Sequence, residues 1–270
     1  LKTEMQRMPV QPRRKKLWIG LIVLVILLFI ACLSLSVYVG LSLTKIDRKP
    51  ITETPADYGM SYQDEQFLSE DGKTKLKGWT IEPEGEAKAT IIMAHGYSGN
   101  RQEIASGFLP LSHDLTQEGY RIVTFDFRNS GESDGTMTTV GVKEQLDLLG
   151  VIKSVKQETS EPIILYGISM GGATSLLAGS QSNDVQAVIA DSPFSDLTTY
   201  LRENLPVWTN LPSFPFTPLI LGTVPLITDL NPSDASPIEA VQNKKDMPIF
   251  FIHGDGDQTI PYTESEKMVQ

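Results

Sequence analysis

The stretch Ile163-Ile164-Leu165-Tyr166-Gly167-Ile168-Ser169-Met170-Gly171-Gly172-Ala173 decides the reading of this chain. Its first four residues read as a buried strand, and the small residues after Ser169 read as the opening of a helix. Between them stands the pattern Gly-x-Ser-x-Gly. A strand that turns directly into a helix over such a pattern holds its serine on a strained turn, with the hydroxyl exposed above the sheet. Glycine at 167 and 171 leaves space for strand and helix to approach closely. Serine is a poor nucleophile at neutral pH on its own, so a base and a group that orients the base are also required. The plain alternative is a glycine-rich turn with an idle serine.

Two further segments fit the same chemistry. Upstream, Ile91-Ile92-Met93-Ala94-His95-Gly96-Tyr97 is a strand ending in His-Gly. The backbone N–H of Tyr97 would pair with that of Met170 to hold an oxygen that becomes negative during acyl transfer. His95 reads as a hydrogen-bonding residue that shapes this loop, not as the base. Downstream, Phe250-Phe251-Ile252-His253-Gly254-Asp255-Gly256-Asp257-Gln258-Thr259-Ile260-Pro261 is a late strand ending beside two aspartates. Either could orient a catalytic histidine and stabilise its imidazolium.

The rest of the chain supplies a frame. Strands are expected at Phe67-Leu68 and Leu76–Ile81 around an Asp71-Gly72 turn, then at Ala89–Ala94, Arg121–Phe125, Pro162–Tyr166, Gln186–Ala190 and Met247–Ile252. Helices are expected over Gln102–Glu118, Val140–Gln157, Gly171–Ser180 and Pro237–Lys244. Such alternation predicts an α/β fold: a mostly parallel, doubly wound sheet with helices on both faces. Residues 193–236 break the rhythm with seven prolines and the aromatics Trp208, Phe214 and Phe216. We read this excursion as a cap over a pocket, with those three aromatics near the mouth at Ser169.

In combination and in order, these motifs resemble the α/β-hydrolase superfamily, in its serine aminopeptidase-like and prolyl-oligopeptidase-like bacterial branch. Asp126-Phe127-Arg128-x-x-Gly131-x-Ser133 and Asp191-Ser192-Pro193-Phe194 belong to the same resemblance. It implies Ser169 as nucleophile, Asp257 as the acid of a triad, and Tyr97 and Met170 as oxyanion donors. It leaves Asp255 as loop structure and Asp126 with Arg128 as ties within their turn. Asp191 occupies the place where a minority of these enzymes carry the acid. The family order is Ser, Asp, His. No histidine follows His253, so the resemblance implies a base beyond Gln270, a truncated C-terminus and an inactive 270-residue chain. A noncatalytic homologue is the competing account.

Charge divides the chain. The first fifty residues hold nine of the 23 Lys/Arg and two of the 33 Asp/Glu, leaving 14 basic and 31 acidic side chains for the remainder. An acidic globular part argues against nucleic acid as a partner. One cysteine, Cys32, excludes an internal disulfide and a cysteine zinc site. No metal, nucleotide or flavin is implied. No charge stands between Lys16 and Lys45, and a bilayer core of about 30 Å needs only about 20 helical residues. Trp18 and Tyr38 stand where interfacial aromatics are favoured, and Arg13, Arg14, Lys15 and Lys16 would stay in the cytoplasm. The reading is therefore a basic cytoplasmic segment over 1–16, a transmembrane helix over 17–44, a linker over 45–60 and a hydrolase domain over 61–270 with its cap at 193–236. A cleaved signal peptide, or a lipoprotein anchored through Cys32, are the alternatives.

These readings converge on a single-pass cell-membrane protein with an extracytoplasmic hydrolase domain. It would cleave a carboxylic ester of apolar character through an acyl-serine intermediate. A peptidase or amidase of the same fold, or a membrane-tethered binding protein without catalysis, would leave much the same sequence. Its partners would be that substrate and the membrane.

Overall fold

The computed structural model describes residues 12–244 and 246–269. Most of the basic segment expected over 1–16, and Gln270, lie outside the described residues.

Seven strands form one sheet in the order β1-β2-β4-β3-β5-β6-β7. β1 (Tyr62–Leu68) and β2 (Lys75–Ile81) make an antiparallel hairpin around Gly72, and β2 runs antiparallel to β4. β3 (Thr90–Ala94), β4 (Arg121–Phe125), β5 (Ile163–Ile168), β6 (Val185–Asp191) and β7 (Ile249–Ile252) are all parallel. Alternate strand residues enter opposite layers, as the pleat requires. Ile92, Val123, Phe125 and Leu165 pack on one face among Leu148, Val151 and Leu176. Ile91, Met93, Ile122 and Tyr166 pack on the other around Phe108.

The helices are α1 (Pro12–Leu43), α2 (Phe108–Gln117), α3 (Glu144–Glu158), α4 (Met170–Gln181), α5 (Leu197–Thr209), α6 (Ser213–Thr228), α7 (Pro237–Asn243) and α8 (Thr263–Val269). Two start later than the sequence predicts, for local reasons. The Glu144 carboxylate accepts the N–H groups of Thr139 and Gly141 at 2.7 and 2.8 Å, which holds that approach as a loop. Gly107, at φ 68°, separates a single 3-10 turn at Ile104–Ser106 from α2. The excursion after β6 is more regular than its prolines suggest, because α5 and α6 contain Pro206, Pro218 and Pro225 within them.

Lys15–Leu43 is long and apolar enough to cross a membrane. Residues 45–60 do not form a free tether. Arg48 donates to the carbonyls of Ser133 and Gly135 at 2.6 Å each, and Gln102 accepts the N–H groups of Thr52 and Glu53.

Register places the site. Ala94 pairs with Gly167, Ile168 with Asp191, and Asp191 with Ile252. The carboxyl ends of β3, β5, β6 and β7 therefore end level, at the edge where open α/β sheets bind their ligands.

Candidate active site

Ser169 sits at φ 53° and ψ −117° between β5 and α4. A non-glycine residue held there stores roughly 1–3 kcal/mol of strain, so its surroundings must over-determine it. The Ser169 N–H donates to the Asp191 carbonyl at 2.8 Å, and the Ser169 carbonyl accepts from Ala173 at 3.0 Å. A Cβ at Gly167 would stand 2.2 Å from the Gly171 carbonyl oxygen, and one at Gly171 only 2.0 Å from that of Ala94. Three elements thus meet at backbone distance beneath the serine. The Ser169 hydroxyl makes no capping bond to α4.

The loop after β3 is clamped beside this turn. His95 is fully buried. Its Nε2 faces the Phe127 N–H at 3.0 Å and its Nδ1 faces the Gly96 carbonyl at 2.7 Å. An N–H can only donate, so Nε2 accepts and the proton sits on Nδ1, which donates to Gly96. Burial lowers the imidazole pKa, against the pull of the Gly96 carbonyl and the Glu103 carboxylate, and favours the neutral ring. Gly96 N–H in turn donates to Glu103 at 3.1 Å. Tyr97 and Met170 then line, with Ser169, an apolar cavity of ≈ 320 Å³ that also takes Leu201 and Trp208 from α5 and Leu43 from α1.

A second, more polar cavity of ≈ 470 Å³ opens on the other side of Ser169, lined by Asp191, Ser192, Asp257 and Thr259. Asp257 Oδ1 accepts the N–H groups of Thr259 and Ile260 at 2.8 and 3.0 Å. Asp191 accepts the Ser192 hydroxyl at 3.0 Å. Burial, then the nearby Asp191 carboxylate, push the Tyr166 phenol up to about 12. Asp255 is exposed and lines neither cavity.

The sequence profile of the serine aminopeptidase S33 hydrolases matches residues 85–228. The chain belongs to this hydrolase family. It is 31% identical over 199 residues to the uncharacterized Bacillus subtilis protein YqkD, covering 72% of this chain and 63% of that one. It is 30% identical over 210 residues to Escherichia coli YfhR, covering 75% and 66%. The chain thus spans about two thirds of the length of these relatives. An esterase of Pyrococcus furiosus has a similar structure, with a TM-score of 0.67, 27% identity and coverage of 84% and 82%. An acylaminoacyl peptidase of Pyrococcus horikoshii shares the fold, with a TM-score of 0.57, 24% identity and coverage of 78% and 34%.

None of the three histidines of this S33 hydrolase is among the residues that line the two cavities at Ser169. His95 is locked as described. His253 uses both nitrogens near α8, Nδ1 at 2.7 Å from Ser265 Oγ and Nε2 at 2.8 Å from the Ile260 carbonyl, and lies 3.8 Å from Asp257. His113 stands on α2 beside Asp114 at 3.2 Å. Asp126 and Arg128 stabilise their turn. Asp126 accepts the N–H groups of Arg101 and Glu132 at 2.7 and 2.9 Å, and Arg128 pairs with Asp147 at 2.6 Å and Asp71 at 3.0 Å.

Of the three aromatics expected at the mouth, Trp208 lines the cavity with Ser169. Phe214 is 82% exposed, and neither it nor Phe216 lines either cavity at the serine. Nearness in the chain to Trp208 is therefore not nearness to the site. Sequence reasoning missed Glu103 and Leu43. Glu103 carries no local signal, because its partner is a backbone N–H. Leu43 belongs to a segment whose apolarity reads as membrane and hides its role as a wall. Tyr97 ties that wall to the site: its hydroxyl donates to the Leu43 carbonyl at 2.7 Å.

Proposed function

We propose that this S33 hydrolase is a membrane-anchored serine esterase that works through an acyl-Ser169 intermediate. The observation that carries the reading is the strained turn of Ser169 at the junction of two cavities, one apolar and one holding Asp257. Ser169 Oγ attacks the ester carbonyl as a histidine removes its proton. The Tyr97 and Met170 N–H groups hold the oxyanion, and the alcohol leaves with the proton. Water then repeats the sequence on the acyl-serine and releases the acid. The bonds made by His95 and His253, and the place of His113 on α2, support a base outside these residues. Asp257 is the orienting acid in this reading: two backbone N–H groups fix Oδ1 and leave Oδ2 to face an imidazole. α1 is the anchor and residues 193–236 the cap. An apolar acyl cavity without a charged lining residue favours an ester over a substrate with a free α-amine.

The test uses the full-length protein. A fluorophosphonate should label Ser169, and Ser169→Ala should abolish both labelling and turnover of p-nitrophenyl esters. Absent labelling in the folded protein would favour a binding protein. Faster cleavage of aminoacyl-naphthylamides than of esters would favour a peptidase.

A further inference from the structure

The apolar helix α1 and the excursion α5–α6 are packed together. Side chains of α1 from Lys15 to Ala31 are exposed, whereas Cys32, Leu33, Ser36, Val37 and Gly40 are partly or fully covered. The covering element is α6. A Cβ at Gly40 would stand 2.3 Å from a Val224 methyl and 3.2 Å from one of Ile220, so glycine lets the two helices approach closely.

Their direction follows from what the sheet domain holds. It holds the C-terminal end of α1, where the Thr44 carbonyl accepts from Thr138 at 2.8 Å. It also holds both feet of the α5–α6 hairpin, with Leu197 and Tyr200 buried at one and Leu230 and Ala235 at the other. Going backward from the sheet domain, α1 and α6 therefore descend side by side, and the tip between α5 and α6 hangs on the side of the apolar span. The tip is itself apolar: Val207 is 71% and Phe214 82% exposed, and no charge stands between Glu203 and Asp229.

The aromatics of α1 set the level. Trp18 and Tyr38 are exposed, and the helix between them rises about 30 Å, the thickness of a hydrocarbon core. Both interfaces favour such rings. Cys32–Val37, which α6 covers, lies on the membrane side of Tyr38. Leu43 lies beyond it and walls the apolar cavity at Ser169.

We propose that the α5–α6 hairpin dips into the outer half of the bilayer beside α1, and that the Ser169 cavity receives the acyl chain of an ester dissolved in that bilayer, guided past Leu43, Leu201 and Trp208. The choice of substrate rests on the esterase reading; the seating of the hairpin does not.

The test uses the full-length protein in phosphatidylcholine vesicles. In a Cys32→Ser background, Phe214→Cys carries an NBD label, with Asp184→Cys on the sheet domain as reference. The Phe214 probe should be quenched by doxyl groups on the acyl chains and shielded from aqueous iodide, the reverse of the Asp184 probe. Equal iodide quenching of both would overturn the proposal. Separately, Phe214→Glu should lower hydrolysis of a palmitoyl ester held in the vesicles by roughly tenfold and leave p-nitrophenyl acetate turnover unchanged. Unchanged palmitoyl ester turnover, or an equal fall on both, would overturn delivery from the membrane. No turnover of either ester by the parent, with the Phe214 probe buried in lipid, would overturn the esterase reading and uphold the hairpin's seat.

Discussion

The two cavities that meet at Ser169 have different builders. Strand ends make the polar one: Asp191 closes β6, and Asp257 sits in the loop after β7. Their positions follow from sheet register, which a one-residue slip would destroy along with the core. Helices make much of the apolar one: Leu43 comes from α1, and Leu201 and Trp208 from α5. Their positions depend on how α1, α5 and α6 pack together, and α1 is exposed along most of its length. On the proposed reading, reaction chemistry falls to the strand-built side and substrate choice to the helix-built side.

The sharpest way to break that division is at the acid. In the full-length protein, Asp257→Asn should lower kcat about 10⁴-fold, whereas Asp191→Asn should cost less than about tenfold because its partners, the Ser192 and Tyr166 hydroxyls, can also bond an amide oxygen. Steady-state kinetics on a small ester checks both, and the opposite ranking would move the acid to Asp191. The next largest effect concerns rigidity. Gly171→Ala directs a methyl group at the Ala94 carbonyl, on a strand paired on both sides, and should destabilise the fold by about 3 kcal/mol. Gly222→Ala on α6 meets nothing within 4 Å and should be neutral or stabilising by up to about 1 kcal/mol. Urea unfolding in detergent separates the two. On the apolar side, Trp208→Ala should shift preference between long and short acyl chains by roughly tenfold, with turnover of an acetate ester little changed. An equal loss on every substrate would mean that Trp208 supports the fold through its edge contact with Tyr200 instead.

The same contrast explains what was legible in the sequence. The elbow at Ser169, the His95-Gly96 loop and the run to Pro261 declare themselves because each demand is local: a positive φ at the serine, a glycine beneath it, an aspartate two residues before the N–H it binds. The strand–helix alternation around them predicts the mostly parallel sheet. The excursion did not declare itself. Its prolines read as breakers, yet Pro206, Pro218 and Pro225 are accommodated within α5 and α6. Phe214 and Trp208 look alike in the sequence, but one faces outward and the other faces the site. Periodicity cannot separate an apolar side chain that meets protein from one that stays exposed. Residues 45–60 read as a tether for a related reason, since Arg48 reaches carbonyl groups that no pattern reveals.

The smallest effect tests the rigid side through pH. His95 has its pKa lowered from 6.5 because burial disfavours the imidazolium, with Glu103 opposing the shift and Lys49 adding to it. In the unfolded chain the same ring protonates near its ordinary value. Below 6.5 the unfolded state therefore binds more protons, and stability falls with pH by up to about 1.4 kcal/mol per unit. Above 6.5 the contribution is complete. Protonation of the folded ring would place a proton on Nε2 opposite the Phe127 N–H and break the bond that clamps the His95-Gly96 loop. Unfolding free energy followed between about pH 7 and pH 5.5 should thus show a downward slope that His95→Gln makes shallower, whatever that substitution does to absolute stability. Identical slopes in the two proteins would mean that folding leaves the His95 pKa unshifted, and the neutral tautomer that clamps Gly96 and Tyr97 beside Ser169 would lose its support.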